Sequence, residues 1–302
     1  MNMIPLANIK DISSLKTSFE LKEDVEQRVS ELINVPFGIT DATEYLQLIF
    51  SLLDLTSLEG ADTHAKIEGM CKKVLELEQH ISFANIAAIC VYPTFAELVS
   101  EKLKGSDIHT ACVAGAFPSG QSSIEVKIKE VEWAIQQGAT EIDMVISRGK
   151  LLEGNYQAVF DEIVAIKKCC ESTHLKVIIE SGELETPKNI RIASDLAMYA
   201  GADFIKTSTG KISVGATYQS AYVMLTAIHD FYLATGKKIG MKPAGGIADV
   251  ETAVNYLKLV EQVVGKEWLN NSLFRFGASR LANNVLNELS VLLAQPQLKH
   301  YF

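Results

Sequence analysis

The sequence predicts an α/β fold, a (β/α)8 TIM barrel preceded by an N-terminal helical extension, and three observations carry that prediction. Eight short β-rich runs alternate with amphipathic stretches from about residue 48 onward. The eight units occupy roughly 250 residues, the usual size of such a barrel. An internal echo, GATEIDMV at 138–145 and GADFIKTS at 201–208, twice sets Gly-Ala between a helix end and a strand. Glycine suits the left-handed stop after a helix. An open doubly wound sheet fits the same alternation, because periodicity alone does not show closure.

Taken in order, LIFSLLDLT, ending at Thr56, reads as strand one, and AAICVYP, ending at Pro93, as strand two. HTACVAGAF, EIDMVIS, LKVIIES, FIKTST, KIGMKPAGG and FRFGAS follow as strands three to eight. Between strands three and four, EVKIKEVEWAIQQ repeats apolar residues near a 3.6-residue period and predicts a helix burying Val126, Val131, Ala134 and Ile135. Residues 1–42 contain SSLKTSFELKEDVEQRVSELI, a charged helical segment outside the eight-fold count. Residues 43–294 then form the barrel, and 295–302 a short tail released where Pro296 breaks the last helix.

Composition narrows the function. The 302 residues are 48% hydrophobic and 22% charged, enough to bury a substantial core. A formal net charge of −9 argues against a general nucleic-acid or anionic-membrane binder, so an anionic ligand needs a concentrated local site. Cys71, Cys90, Cys112, Cys169 and Cys170 form no CxxC pair, and the histidines form no HxH or HExxH pattern. A reducing cytoplasm without a dedicated metal site is the simplest reading. The first twenty residues lack a basic-then-apolar leader, and no run is long enough to span a membrane.

Two lysines interrupt apolar strands. In GADFIKTSTGK, Phe204, Lys206 and Ser208 share one face of the strand. The other face must pack on apolar helices, where an ammonium is costly, so Lys206 points into the barrel. Lys242, in GMKPAGG, follows the same logic on the next strand. Both lie near strand C-terminal ends, where barrel enzymes place their active sites. Two ammonium groups about 6 Å apart repel by roughly 2 to 3 kcal/mol at an effective dielectric near 20. Desolvation acts in the same direction, and together they free an amine for attack on a carbonyl. The other reading is that each lysine forms a buried ion pair with a carboxylate such as Asp143 or Glu180.

Asp143, on strand four, can reach Lys206 on strand six, because alternate strands share a layer. Its carboxylate can shuttle protons or only orient the amine. Asp54 and Thr56 close strand one; with inward parity they hydrogen-bond substrate hydroxyls at the rim, and otherwise they only begin the next loop. After strands six, seven and eight come TSTGK, PAGG and GAS, which supply hydroxyls including Thr209, one lysine, and glycines that let backbone N–H groups approach a ligand. Loops after strands seven and eight are a common phosphate position in barrels.

At these residues the chain resembles the deoxyribose-phosphate aldolases, which are class I Schiff-base lyases of deoxyribonucleotide breakdown. The blocks DLT, AAICVYP, EIDMVI, LKVIIESGEL, GADFIKTSTGK, KPAGG and RFGAS stand in that family's order over about residues 48 to 280. The resemblance implies reversible cleavage of 2-deoxy-D-ribose 5-phosphate to acetaldehyde and D-glyceraldehyde 3-phosphate, with no metal or organic cofactor. It also implies Lys206 as the Schiff-base lysine, Lys242 as the lysine that perturbs it, and Asp143 as the proton shuttle. Phosphate would lie against Gly210, Lys211, Gly245, Gly246, Gly277 and Ser279, and Cys90 matches the strand-two block. Arg280 departs from the family, standing where many members have a serine. The assembly is open, a homodimer being one form. Two other classes stay in view: a pyridoxal-phosphate barrel lyase or isomerase, and a catalytically idle phosphosugar-binding barrel.

Overall fold

In the computed structural model, which describes residues 24–302, eight parallel strands stand side by side in chain order. They are β1 (Leu53–Thr56), β2 (Ala88–Val91), β3 (His109–Ala114), β4 (Glu141–Val145), β5 (His174–Ile178), β6 (Phe204–Lys206), β7 (Gly240–Lys242) and β8 (Phe276–Ala278). The last strand returns to pair with the first, Leu53 opposite Phe276. Single bridges, Met241 to Phe274 and Ala244 to Gly277, join β7 to the β8 segment. The sheet is therefore a nearly closed barrel, and the open-sheet alternative falls because its two ends meet.

The strands explain their own two-sidedness. Leu53, Leu55, Ile89, Val91, Ile142, Met144, Leu175, Val177, Ile205 and Met241 belong to the main apolar core under the helices. The intervening residues Asp54, Glu141, Asp143, Lys176, Lys206 and Lys242 face the barrel axis, all buried. At the lower end Phe204 fills the interior; a Cβ on Gly240, its register partner, would lie 2.3 Å from the Phe204 ring.

The helices are α1 (Val25–Ile33), α2 (Ala42–Ser51), α3 (His64–Leu77), α4 (Ala96–Lys102), α5 (Ile124–Gln136), α6 (Arg148–Leu152), α7 (Tyr156–Cys170), α8 (Pro187–Tyr199), α9 (Tyr218–Thr235), α10 (Val250–Val263) and α11 (Arg280–Leu292). The run LIFSLLDLT is not one strand. Asp41 caps α2 by accepting from Glu44 N at 3.0 Å, and Leu46, Ile49 and Phe50 are buried at helical spacing, so only 53–56 is strand.

Helix α5 turns Val131, Ala134 and Ile135 inward as its sequence reads, and differs at one position. Val126 is 57% exposed, and the inward stripe is Lys127, Val131 and Ala134. Lys127 tolerates burial because its Nζ donates to Glu162 at 2.6 Å and to Ser147 Oγ at 3.0 Å. Apolar identity misplaced the first residue of the stripe, because a paired lysine occupies that position.

Of the charged N-terminal segment, α1 is described and residues 13–23 lie outside the described residues. Val29 and Leu32 of α1 are buried in the main core, and Lys258 Nζ donates to Ile33 O at 2.8 Å. The tail is not free. After a 3-10 turn at Pro296–Leu298 it doubles back along α11, where His300 N donates to Asn287 Oδ1 at 2.8 Å. Phe302 N donates to Asn283 Oδ1 at 2.8 Å, and Asn283 Nδ2 returns a bond of the same length to Phe302 O. Tyr301 and Phe302 pack against the core. No helix among the described residues is long and apolar enough to cross a membrane.

Candidate active site

The strand register sets Lys206 directly opposite Lys242 on the neighbouring strand. Between their ammonium groups stands Asp143 of β4, whose Oδ2 is 2.7 Å from Lys206 Nζ and 2.7 Å from Lys242 Nζ. Asp143 Oδ1 is 3.0 Å from Lys176 Nζ of β5. Both readings of the lysines are thus met together: they are neighbours, and they share a buried carboxylate. Glu180, the other carboxylate considered, pairs with neither; it accepts from Thr209 N at 3.1 Å and from Thr209 Oγ1 at 2.5 Å.

The charges extend around the barrel. Lys242 Nζ lies 2.5 Å from Asp54 Oδ2, and Asp54 Oδ1 accepts from Arg275 Nη1 at 2.6 Å. Arg275 Nη2 donates to Glu141 Oε1 at 2.9 Å, and Glu141 Oε2 accepts from Lys176 Nζ. Arg275 and Lys176 also stand 5.9 and 6.0 Å from the Phe204 ring centroid.

Burial dominates the electrostatics, and partners decide the outcome. Burial pushes Lys206 below its ordinary value; Asp143 opposes and Lys242 reinforces the shift. Desolvation therefore exceeds the neighbouring lysine as the cause, a correction to the repulsion argument. Lys242 is held above its ordinary value, because Asp143 and Asp54 outweigh its desolvation. Burial would raise Asp143, yet Lys176, Lys206 and Lys242 hold it well below the usual carboxylate range. The Cys90 thiol is pushed up, chiefly by burial.

Above this layer opens a cleft of about 320 Å³ with Lys206 among its lining residues. Thr56, Thr209, Gly210, Lys211, Gly245, Gly246, Gly277 and Ser279 also line it, with Glu59 and Arg280. Three loops are stitched together here. Ala244 N donates to Thr207 Oγ1 at 3.0 Å, and a Cβ on Gly245, at φ +80°, would stand 3.1 Å from Gly215 Cα. Helix α11 starts at the cleft without a side-chain cap, so its first N–H groups are free for an anion. Lys211 Nζ pairs with Glu59 Oε1 at 3.0 Å.

Residues 48–267 match the family described as DeoC/LacD family aldolase. The chain belongs to that family. The curated deoxyribose-phosphate aldolases of Homo sapiens and Mus musculus are 43% and 41% identical to it over 250 residues, 79% of each chain. The solved structure of QR15, an aldolase, superposes with a TM-score of 0.67 at 28% identity, covering 82% of this chain and 98% of that one.

Within this aldolase-family barrel, the structure separates the sequence-predicted residues by depth. Lys206 joins the two levels. Asp143 and Lys242 lie in the buried layer, and the loop residues lie in the cleft. Asp54 is corrected: its parity is inward, but at 0% exposure it holds Lys242 and Arg275 and does not reach the rim. Thr56, two residues on, lines the cleft. Cys90 faces inward, its Sγ 4.0 Å from Asp143 Oδ2, but is not among the cleft residues. Tyr301 also stays away from the cleft, packed outside the barrel with its tail.

Sequence reading missed Glu141, Lys176 and Arg275, and it gave Glu180 a lysine partner where the structure gives it Thr209. Lys176 carried the same signal as Lys206, an ammonium in an apolar strand, and Glu141 shares a face with Asp143. Arg275 carried a like signal, since it interrupts FRFGAS on the face shared by Gly277 and Ser279. Glu180 adopts a left-handed φ of 54°, unfavourable without glycine, and its carboxylate fixes the 207–211 loop through Thr209.

Proposed function

We propose that this chain reversibly cleaves 2-deoxy-D-ribose 5-phosphate to acetaldehyde and D-glyceraldehyde 3-phosphate through a Schiff base on Lys206. The observation that carries this reading is a desolvated amine at an open cleft, bonded to one carboxylate that can take and return its proton. Neutral Lys206 attacks the C1 aldehyde of the open-chain sugar, and the carbinolamine loses water to give a protonated imine. Removal of the C3 hydroxyl proton breaks the C2–C3 bond; its electrons pass into the imine, which becomes an enamine as glyceraldehyde 3-phosphate leaves. Protonation at C2 and hydrolysis then release acetaldehyde and the free amine. The imine is the electron sink, so the chemistry calls for no metal or organic cofactor.

Asp143 is the proton carrier for the carbinolamine steps, and Lys242 holds it in place. The phosphate is assigned to the cleft glycines, Ser279 and the start of α11, with Lys211 leaving Glu59 to meet it. Thr56 and Thr209 serve the sugar hydroxyls. The division into an extension at 1–42, a barrel at 43–294 and a tail at 295–302 is kept as a proposal. A reducing cytoplasm is proposed from five free thiols, and homodimerisation is open to sedimentation measurement.

Acetaldehyde release from 2-deoxyribose 5-phosphate, coupled to NADH oxidation by alcohol dehydrogenase, tests the activity; no release with folded protein would end the proposal. Asp143→Asn keeps the size and most hydrogen bonds but loses the base, so kcat should fall by about 10²-fold or more. A change confined to KM would instead make Asp143 an orienting group. Lys211→Ala should weaken the phosphorylated sugar by about ten- to a hundredfold, the worth of one charge-assisted hydrogen bond. Unphosphorylated deoxyribose should be almost unaffected, and equal losses on both sugars would remove Lys211 from the phosphate site.

A further inference from the structure

The buried charges close into an alternating ring. Asp54 pairs with Arg275, Arg275 with Glu141, Glu141 with Lys176, Lys176 with Asp143, Asp143 with Lys242, and Lys242 with Asp54 again. Each of the three carboxylates meets at least two of the three cations, Asp54 also lying 3.8 Å from Lys176 Nζ, and three charges of each sign balance the ring without Lys206. Lys206 attaches to it from one side, through Asp143 alone. A proton on Lys206 makes it the surplus cation of a desolvated cluster, and losing that proton restores balance.

We infer that Glu141 and Arg275, on the far side of the ring from the cleft, are positioning residues that set whether Lys206 holds its proton. The effect is electrostatic and signed. Neutralising Glu141 leaves the ring positive and drives the proton off Lys206, whereas neutralising Arg275 leaves it negative and retains the proton. The other ionisable groups facing Lys206 are Asp143 from β4, Lys242 from β7, Cys90 from β2 and Lys176 from β5, with Glu59, Lys211 and Arg280 across the cleft. Neither substitution removes any of these. The consequence for turnover rests on Lys206 being the nucleophile, but the ionisation can be read without that reading.

The test is reductive ethylation of the full chain with acetaldehyde and cyanoborohydride across pH, with the rate at Lys206 followed by peptide mass spectrometry. Glu141→Gln should move the midpoint down by about one pH unit, and Arg275→Gln should move it up by a similar amount. The Glu141→Gln/Arg275→Gln double variant should return to within a few tenths of wild type, as should Arg275→Lys. A merely structural role predicts slower labelling with no signed shift. Should Arg275→Gln not fold, a Glu141→Gln midpoint at or above that of wild type overturns the inference by itself. Normal shifts without acetaldehyde release from the sugar phosphate would sink the proposed activity and leave the ring intact.

Discussion

Turnover of 2-deoxyribose 5-phosphate should fall by about 10⁴-fold or more when Lys206 becomes methionine, because the replacement has no nucleophile and no group that can carry an imine. The fold should survive, since a long apolar side chain fills the position and leaves a balanced ring beneath it. The direct measurement is borohydride trapping of wild type with acetaldehyde: reduction of the imine leaves an ethyl group on the Lys206 nitrogen. An adduct found only on other lysines would falsify the assignment, whatever the Lys206→Met rate. The pH dependence follows from the same group. Lys206 is depressed by burial, so its free amine appears below the ordinary lysine range, and activity should rise with pH through that lowered value.

Lys242→Leu should cost most of the neutral-pH activity, about 10²-fold or more if proton supply to and from Lys206 limits the rate. Lys242 bonds Asp54 and Asp143, so its removal leaves the cluster with one negative charge in excess. That excess holds the Lys206 proton more tightly, and activity should partly recover at alkaline pH. Stability should fall too, by about 3 to 5 kcal/mol, the usual consequence of removing one partner of a buried ion pair. A pH–rate profile of unchanged shape and height in a folded variant would remove Lys242 from the control of Lys206.

The ring has a stability signature of its own. Asp54, Glu141 and Asp143 are all held below the ordinary carboxylate range, burial being outweighed by their cationic partners. Depressed carboxylates contribute stability that is complete above about pH 5 and is lost as pH falls through their folded values. Lys206 acts with a different slope. The unfolded chain keeps that proton to higher pH than the folded one, so its contribution improves as pH rises between the two values.

Period and face were legible in the residues alone. Eight alternations pointed to a barrel without showing its closure, and an ammonium in an apolar strand has one inexpensive direction, which sent Lys206 and Lys242 inward. Asp143 followed from the layering of alternate strands, and the three glycine loops followed from their equivalent places after β6, β7 and β8. Depth and partnership were decided by the tertiary structure. A strand period of two names the face of a side chain but not its height along the axis, so Asp54 read as a rim residue although it lies within the ring. Helical apolar counting placed Val126 inside, because it has no means of knowing that Glu162, 35 residues from Lys127, neutralises a buried lysine on the true stripe. Arg275 and Asp54 are 221 positions apart and meet only because β8 closes on β1. Barrel closure is a long-range event, and the balance of charge that leaves Lys206 in surplus exists only once the cylinder has closed.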